Sequence, residues 1–245
     1  MTPPDTLSGF PGFSDLPREH LTRLSRRVVR RKYTRGEFLW REGDMATALT
    51  LIHKGRVKIT KHGPSDRDLL LEVAGPGMVI GEVAVYDGGR YPVSAISAGD
   101  VEVLQLPVQD ALAVLGSGPD AVLSVVGSLA RHARRLAQRA ADLGEAGVER
   151  RLALAMCRLC SRGCDRAQPP PGGTVGIPVS LSRQDLADMV GTSVETAIRV
   201  VSRWARRGFV KTEREGFIVA NCGALQKIVA SSPRAGHRDR SNGGR

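Results

Sequence analysis

The sequence predicts an α+β chain in three parts: an N-terminal β-roll or sandwich, one long helix, and a C-terminal helix-turn-helix with a two-strand wing. Three observations predict it. Between residues 33 and 107, short β-rich runs alternate with Gly-marked turns. Apolar residues then recur in alternating steps of four and three through one unbroken stretch. Residues 180–220 combine two capped helix starts, a Gly turn, a basic helix face and a hairpin.

In chain order, residues 1–20 form a leading segment and residues 21–118 the β-rich domain. Strands are expected at 49–52, 56–61, 69–73, 94–97 and 101–106, with Gly36, Gly43, Gly55, Gly77 and Gly81 between or beside them. In the block LLLEVAGPGMVIGEVAVYDGG, Pro76-Gly77 makes a turn, and a strand leads from it to Gly81-Glu82 and a short apolar helix. Free amides at such a turn, beside a carboxylate, suit a small polar ligand. The spacing of Gly75, Gly77 and Gly81 misses the dinucleotide fingerprint, and no strand–helix–strand unit follows.

Residues 119–144 read as the long helix, opened by Pro119 and Asp120. Its seam is Val122, Val126, Leu129, Ala133, Leu136, Ala140 and Leu143, with Arg131, His132, Arg134, Arg135 and Arg139 off it. Three heptads of this kind predict a parallel pairing of two copies. Residues 145–222 form the helix-turn-helix domain, and 223–245 a polar, Gly-rich basic tail expected to be disordered.

Within the third part, Ser182 caps a first helix and Asp185 bonds back to complete a capping box. Leu186, Ala187 and Val190 are its buried stripe, and Gly191 allows the sharp turn. Ser193 caps a second helix that buries Ala197, Val200, Val201 and Trp204 and shows Glu195, Arg199, Arg203, Arg206 and Arg207 on its other face. Residues 209–212 and 216–220 make the wing. A second helix so presented enters a major groove. The DNA contacts are expected from Ser182, Arg183, Gln184, Thr192, Ser193, Val194, Glu195, Thr196, Arg199 and Arg203.

Composition agrees with a polyanionic partner. The 245 residues carry 36 basic and 25 acidic side chains, a net charge of +11. No apolar run approaches membrane-spanning length and the N-terminus lacks a signal-peptide core, so a soluble cytoplasmic protein with no membrane partner is expected. The sequence holds no GxxxxGK[ST] loop, HExxH pair or GxSxG elbow, so no enzyme is expected. Of four cysteines, Cys157, Cys160 and Cys164 have a C-x2-C-x3-C spacing. That spacing could hold an iron–sulfur cluster or zinc, or form a redox pair, whereas an apolar helix face favours inert buried thiols.

A β-roll carrying the Pro76-Gly77-x3-Gly81-Glu82 block, a long paired helix and a winged helix-turn-helix, in that order, resemble the cyclic-AMP receptor / fumarate-nitrate regulator (Crp/Fnr) family of bacterial transcription factors. The resemblance covers residues 16–222. It implies a cyclic-nucleotide-binding-like sensor domain, a homodimer on a palindromic operator, double-stranded DNA and RNA polymerase as partners, and an effector pocket at Gly81, Glu82 and Arg90. The departures disfavour cyclic AMP and leave the effector unknown. Cyclic-AMP-binding members hold the phosphate with an Arg-Ser pair; here Arg90 precedes that place and Pro92 breaks the pattern. Those members reach the base with Thr-Ser on the long helix, where this chain has Arg139-Ala140. Val194 replaces an Arg of the cyclic-AMP branch, which brings the chain closer to the fumarate-nitrate branch and its TTGA half-site; Ile198 replaces that branch's Ser. The oxygen-sensing members carry cluster cysteines near the N-terminus, and residues 1–35 have none. Two alternatives stand beside effector control: a thiol- or metal-based redox regulator, and a DNA-binding protein that needs no effector.

Overall fold

The structure, a computed structural model, describes residues 3–14, 16–63, 68–116, 118–145, 147–161, 175–176, 181–213 and 216–230. Helices α1 (Pro4–Ser8) and α2 (Arg18–Ser25) come first. Strands β1 (Val29–Tyr33), β2 (Phe38–Trp40), β3 (Ala48–Lys54), β4 (Val57–His62), β5 (Asp68–Ala74) and β6 (Val79–Ile80) follow. Helix α3 (Glu82–Tyr86) interrupts the roll before β7 (Ser94–Ser97) and β8 (Val101–Pro107). All pairings are antiparallel, in two four-stranded sheets ordered β1-β8-β3-β6 and β2-β7-β4-β5.

The two faces of the first sheet bury different cores, which explains why β3 is almost continuously apolar. Leu49, Leu51, Leu104 and Leu106 face a helical cover, while Ile52, Val101 and Val103 face the roll interior with Trp40, Val57 and Tyr91. The turn from β3 to β4 requires Gly55: its φ is 79°, and a Cβ there would fall 2.2 Å from the Asp100 carbonyl oxygen.

Helices α4 (Val108–Leu115) and α5 (Pro119–Glu145) leave the roll, and α6 (Val148–Ser161) leads into the third part. There α7 (Arg183–Met189), α8 (Val194–Arg206) and α9 (Cys222–Ala230) pack with a small sheet. That sheet is ordered β10-β11-β9, from β9 (Val175–Gly176), β10 (Val210–Glu213) and β11 (Gly216–Val219). No single helix among the described residues is long and apolar enough to cross a membrane.

Each strand expected in the roll is present: β3 and β5 gain one or two residues at each end, β4 and β8 gain one at the C-terminal end, β4 begins at Val57 rather than 56, and β7 is unchanged. The boundaries at 20 and 222 need correction. Residues 1–20 are not a separate leader, because Leu7, Phe10, Phe13 and Leu16 are buried in the core under the first sheet, and α2 runs across position 21. The tail does not begin at 223: α9 seats Leu225, fully buried, in the core of the third part. Residues 231–245, the rest of the expected tail, lie outside the described residues.

The roll touches the third part directly. Leu70 and Val73 of β5 share one apolar cluster with Leu186, Val190 and Trp204. Lys58 of β4 donates to Asp185 of α7 at 2.7 Å, so the capping carboxylate also anchors the helix to the roll.

Candidate nucleic-acid interface

The helix starts form as their side chains require. Ser182 Oγ accepts from Asp185 N at 3.0 Å, and Asp185 Oδ2 accepts from Ser182 N at 2.8 Å. Gly191, at φ 62°, turns the chain, and Ser193 Oγ accepts from Thr196 N at 3.3 Å to start α8. One face of α8 is buried through Ala197, Val200, Val201 and Trp204. The opposite stripe, at steps of three and four, is Glu195, Ile198, Arg199, Ser202 and Arg206, all exposed.

The electrostatics of that stripe suit base edges. Hydrogen bonds from its own backbone N–H and from the Ser193 hydroxyl hold the Glu195 carboxyl below the usual carboxylate range, so it presents an ionised acceptor. Arg199 lies one turn on and donates to Thr196 Oγ1 at 3.1 Å, which steadies the guanidinium beside Glu195. Ser182 and Arg183 are exposed at the start of α7, whereas the half-buried Gln184 side chain donates to Asp188 at 2.7 Å. Thr192 and Thr196 are half-buried.

Two of the expected contact residues, Arg203 and Val194, also have partners inside the protein. Arg203 is turned toward α6, where it donates to Glu149 Oε2 at 3.2 Å; Trp204 Nε1 donates to Oε1 of the same carboxylate at 3.0 Å. Arg203 thus fastens α8 to α6 rather than extending the exposed stripe. Val194 packs against the core and is half-buried. Ile198 and Ser202 were absent from the expected contacts, although counting three, four and seven residues from Glu195 marks Ile198, Arg199 and Ser202 alike. Lys211 and Thr212 of the wing are also exposed.

Along α5 the apolar residues expected to form a seam lie mostly on the outside of the chain. Val122, Val126, Ala133, Leu136 and Ala140 are exposed, and Leu129 is half-buried against the roll core. Leu143 lies at the helix end, where only the backbone is described. The roll-facing side carries Ala121, Ser124, Val125 and Ser128, all buried.

The expected effector residues do not converge. Glu82 is 4% exposed, with its carboxylate accepting from Ser128 Oγ at 3.1 Å and lying 3.3 Å from His132 Nδ1. Arg90 donates to the Gly43 carbonyl at 2.7 Å on the exposed side of the roll. Gly81 takes φ 80° and backs onto the Tyr91 ring. Arg139 pairs with Glu72 of β5 at 2.6 Å.

Of the cysteines, Cys160 and Cys222 are buried, and Cys164 lies outside the described residues. Burial, with a further push from Cys222, raises the Cys157 thiol to about 11, which opposes the thiolate that metal binding or exchange requires. Among the described residues no group of three or more His, Cys, Asp or Glu is arranged to hold a metal ion.

Comparison with known proteins agrees with this layout. A family model described as a cyclic nucleotide-binding domain matches residues 30–117, and one described as a Crp-like helix-turn-helix domain matches residues 150–228. The chain is 28% identical over 223 residues to the cyclic AMP receptor protein of Thermus thermophilus, covering 91% of this chain and 98% of that one. It is 26% identical over 195 residues to a CRP-like cAMP-activated global transcriptional regulator of Mycobacterium tuberculosis, covering 80% and 85%. The solved structure of FixK2 from Bradyrhizobium japonicum shares the fold, with a TM-score of 0.70 at 20% identity over 84% of this chain and 99% of that one. With both domain types in this order, joined by one long helix, the chain belongs to the Crp/Fnr family of transcription regulators.

Proposed function

We propose that this regulator works as a homodimer that reads a palindromic operator by placing α8 of each protomer in a major groove. The observation that carries the reading is the exposed stripe of Glu195, Ile198, Arg199, Ser202 and Arg206 on a helix whose other face is buried. A carboxylate accepts from cytosine N4, and a guanidinium donates to guanine O6 and N7, so Glu195 and Arg199 together suit one G·C step. The exposed seam on α5 supports the dimer, since Val126 and Leu136 are each about half exposed, at 53% and 51%. Two recognition helices related by that seam engage half-sites one helical turn apart, ~34 Å.

The protein acts in the cytoplasm, where promoter DNA and RNA polymerase are its partners. It is a binding protein and not an enzyme. The roll contacts α7 through Lys58, Leu70 and Val73, so a signal received there reaches the reading unit through that contact. Replacing Arg199 with Ala tests the reading by fluorescence anisotropy on matched duplexes. The expected loss is about 1–3 kcal/mol on the preferred duplex, with relaxed preference at one base pair. An equal, small loss on every duplex would make Arg199 a phosphate contact and overturn it.

A further inference from the structure

A cyclic nucleotide is the ligand that the roll's domain type implies, and the residues present do not fit it. A cyclic phosphate needs an inward-facing cation or free amides; a purine needs donors and acceptors on α5. Arg90 faces outward to Gly43. The next residue, Tyr91, is 3% exposed and fills the space beside Gly81: a Cβ on Gly81 would lie 3.0 Å from the Tyr91 ring. That ring is fixed by stacking on Trp40 at 4.2 Å and by its hydroxyl, which donates to the Ala48 carbonyl at 2.9 Å. Pro92 offers no N–H. Among the described residues the buried charges are Glu72 and Glu82, 8% and 4% exposed, which meet α5, and Arg56, 5% exposed, in the turn from β3 to β4; an anion beside the two carboxylates would meet like charge.

Both carboxylates are engaged by α5 of the same chain. Ser128 and His132 meet Glu82, with Arg135 3.2 Å from the same His132 nitrogen, and Arg139 meets Glu72. These side chains recur every three or four residues on the roll-facing side of the helix. They fix where α5 lies on the roll, and the seam and α6 both continue from that helix.

We propose that the roll is closed by its own side chains, that these links to α5 do the positioning a bound ligand would do, and that the chain binds its operator without a cyclic nucleotide. The inference rests on the DNA-binding reading above. Its test starts from a duplex selected by the wild-type chain, whose binding Arg199→Ala weakens; failure at that step is failure of the DNA-binding reading and not of this one.

The full chain, unfolded and refolded to strip any carried ligand, is then titrated with that duplex, with and without saturating cyclic AMP or cyclic GMP. Equilibrium dialysis against each labelled nucleotide runs in parallel. The expected result is an affinity changed by less than about twofold, and no saturable nucleotide uptake. A gain of about tenfold or more, or stoichiometric uptake, overturns the closed roll. Arg139→Gln and His132→Ala, each checked by circular dichroism for an intact fold, are expected to weaken duplex binding by about tenfold, with no rescue by nucleotide. Unchanged binding in both folded variants overturns the positioning role. If neither variant folds, Ser128→Ala, which removes a single hydroxyl, takes their place with the same two outcomes.

Discussion

Charging the exposed seam of α5 is expected to give folded monomers. Val126→Lys with Leu136→Lys is the informative pair, because both side chains are about half exposed in the protomer, 53% and 51%. Leu129 is left intact, since it packs on the roll core and its loss would weaken the protomer itself. Fully burying a Val or Leu side chain contributes about 1.5–3 kcal/mol, so covering the exposed half of each contributes about 1 kcal/mol. Two-fold symmetry repeats each contact, so the pair accounts for about 4 kcal/mol of dimerisation, roughly a thousandfold in the dissociation constant. Desolvating the introduced ammonium groups adds to the loss. Sedimentation velocity at micromolar concentration is therefore expected to show monomers, with thermal melting of each protomer little changed. A variant that sediments as the wild-type dimer would refute the seam.

Two further outcomes follow from the third part. Trp204→Phe replaces the fully buried indole with a smaller ring and leaves Glu149 Oε1 without that donor, and denaturant titration is expected to show a loss of at least about 1–3 kcal/mol; no loss would mean that the Glu149 link does not hold α8 to α6. With its thiol raised to about 11, Cys157 is protonated at pH 8 in all but about one molecule in a thousand, and alkylation is expected to run about a hundredfold slower than at an exposed cysteine. Rapid alkylation of Cys157 in the folded chain, followed by mass spectrometry, would reopen the thiol-sensing alternative.

What was legible in the sequence is local in origin. Ser182, Asp185, Gly191 and Ser193 specify their caps and turn within a few residues, and the structure forms each of them. The steps of four and three in α5 mark an apolar stripe, and the structure leaves most of it exposed. Strand β1 was hidden because Val29, Arg30, Arg31 and Lys32 are all exposed; its pairing with β8, rather than any apolar alternation, makes it a strand. The first helices were hidden because Pro, Gly and Asp surround the four apolar anchors Leu7, Phe10, Phe13 and Leu16. The Glu149 pairing of Arg203 was hidden for a similar reason. A basic residue on a helix reads the same whether it faces phosphate or a carboxylate, and its partner Glu149 is 54 residues away. Glu82 and Arg90 are eight residues apart in sequence, yet the roll sends one inward to Ser128 and the other outward to Gly43.

The central claim is that α8 reads base edges from two symmetric protomers, and a binding-site selection from random duplex DNA with the full chain tests it most directly. The account predicts an inverted-repeat motif whose half-sites lie about one helical turn apart, each with a G·C step that is lost when Arg199→Ala is selected in the same way. A selection that returns no enriched sequence, or a single half-site without symmetry, would contradict it.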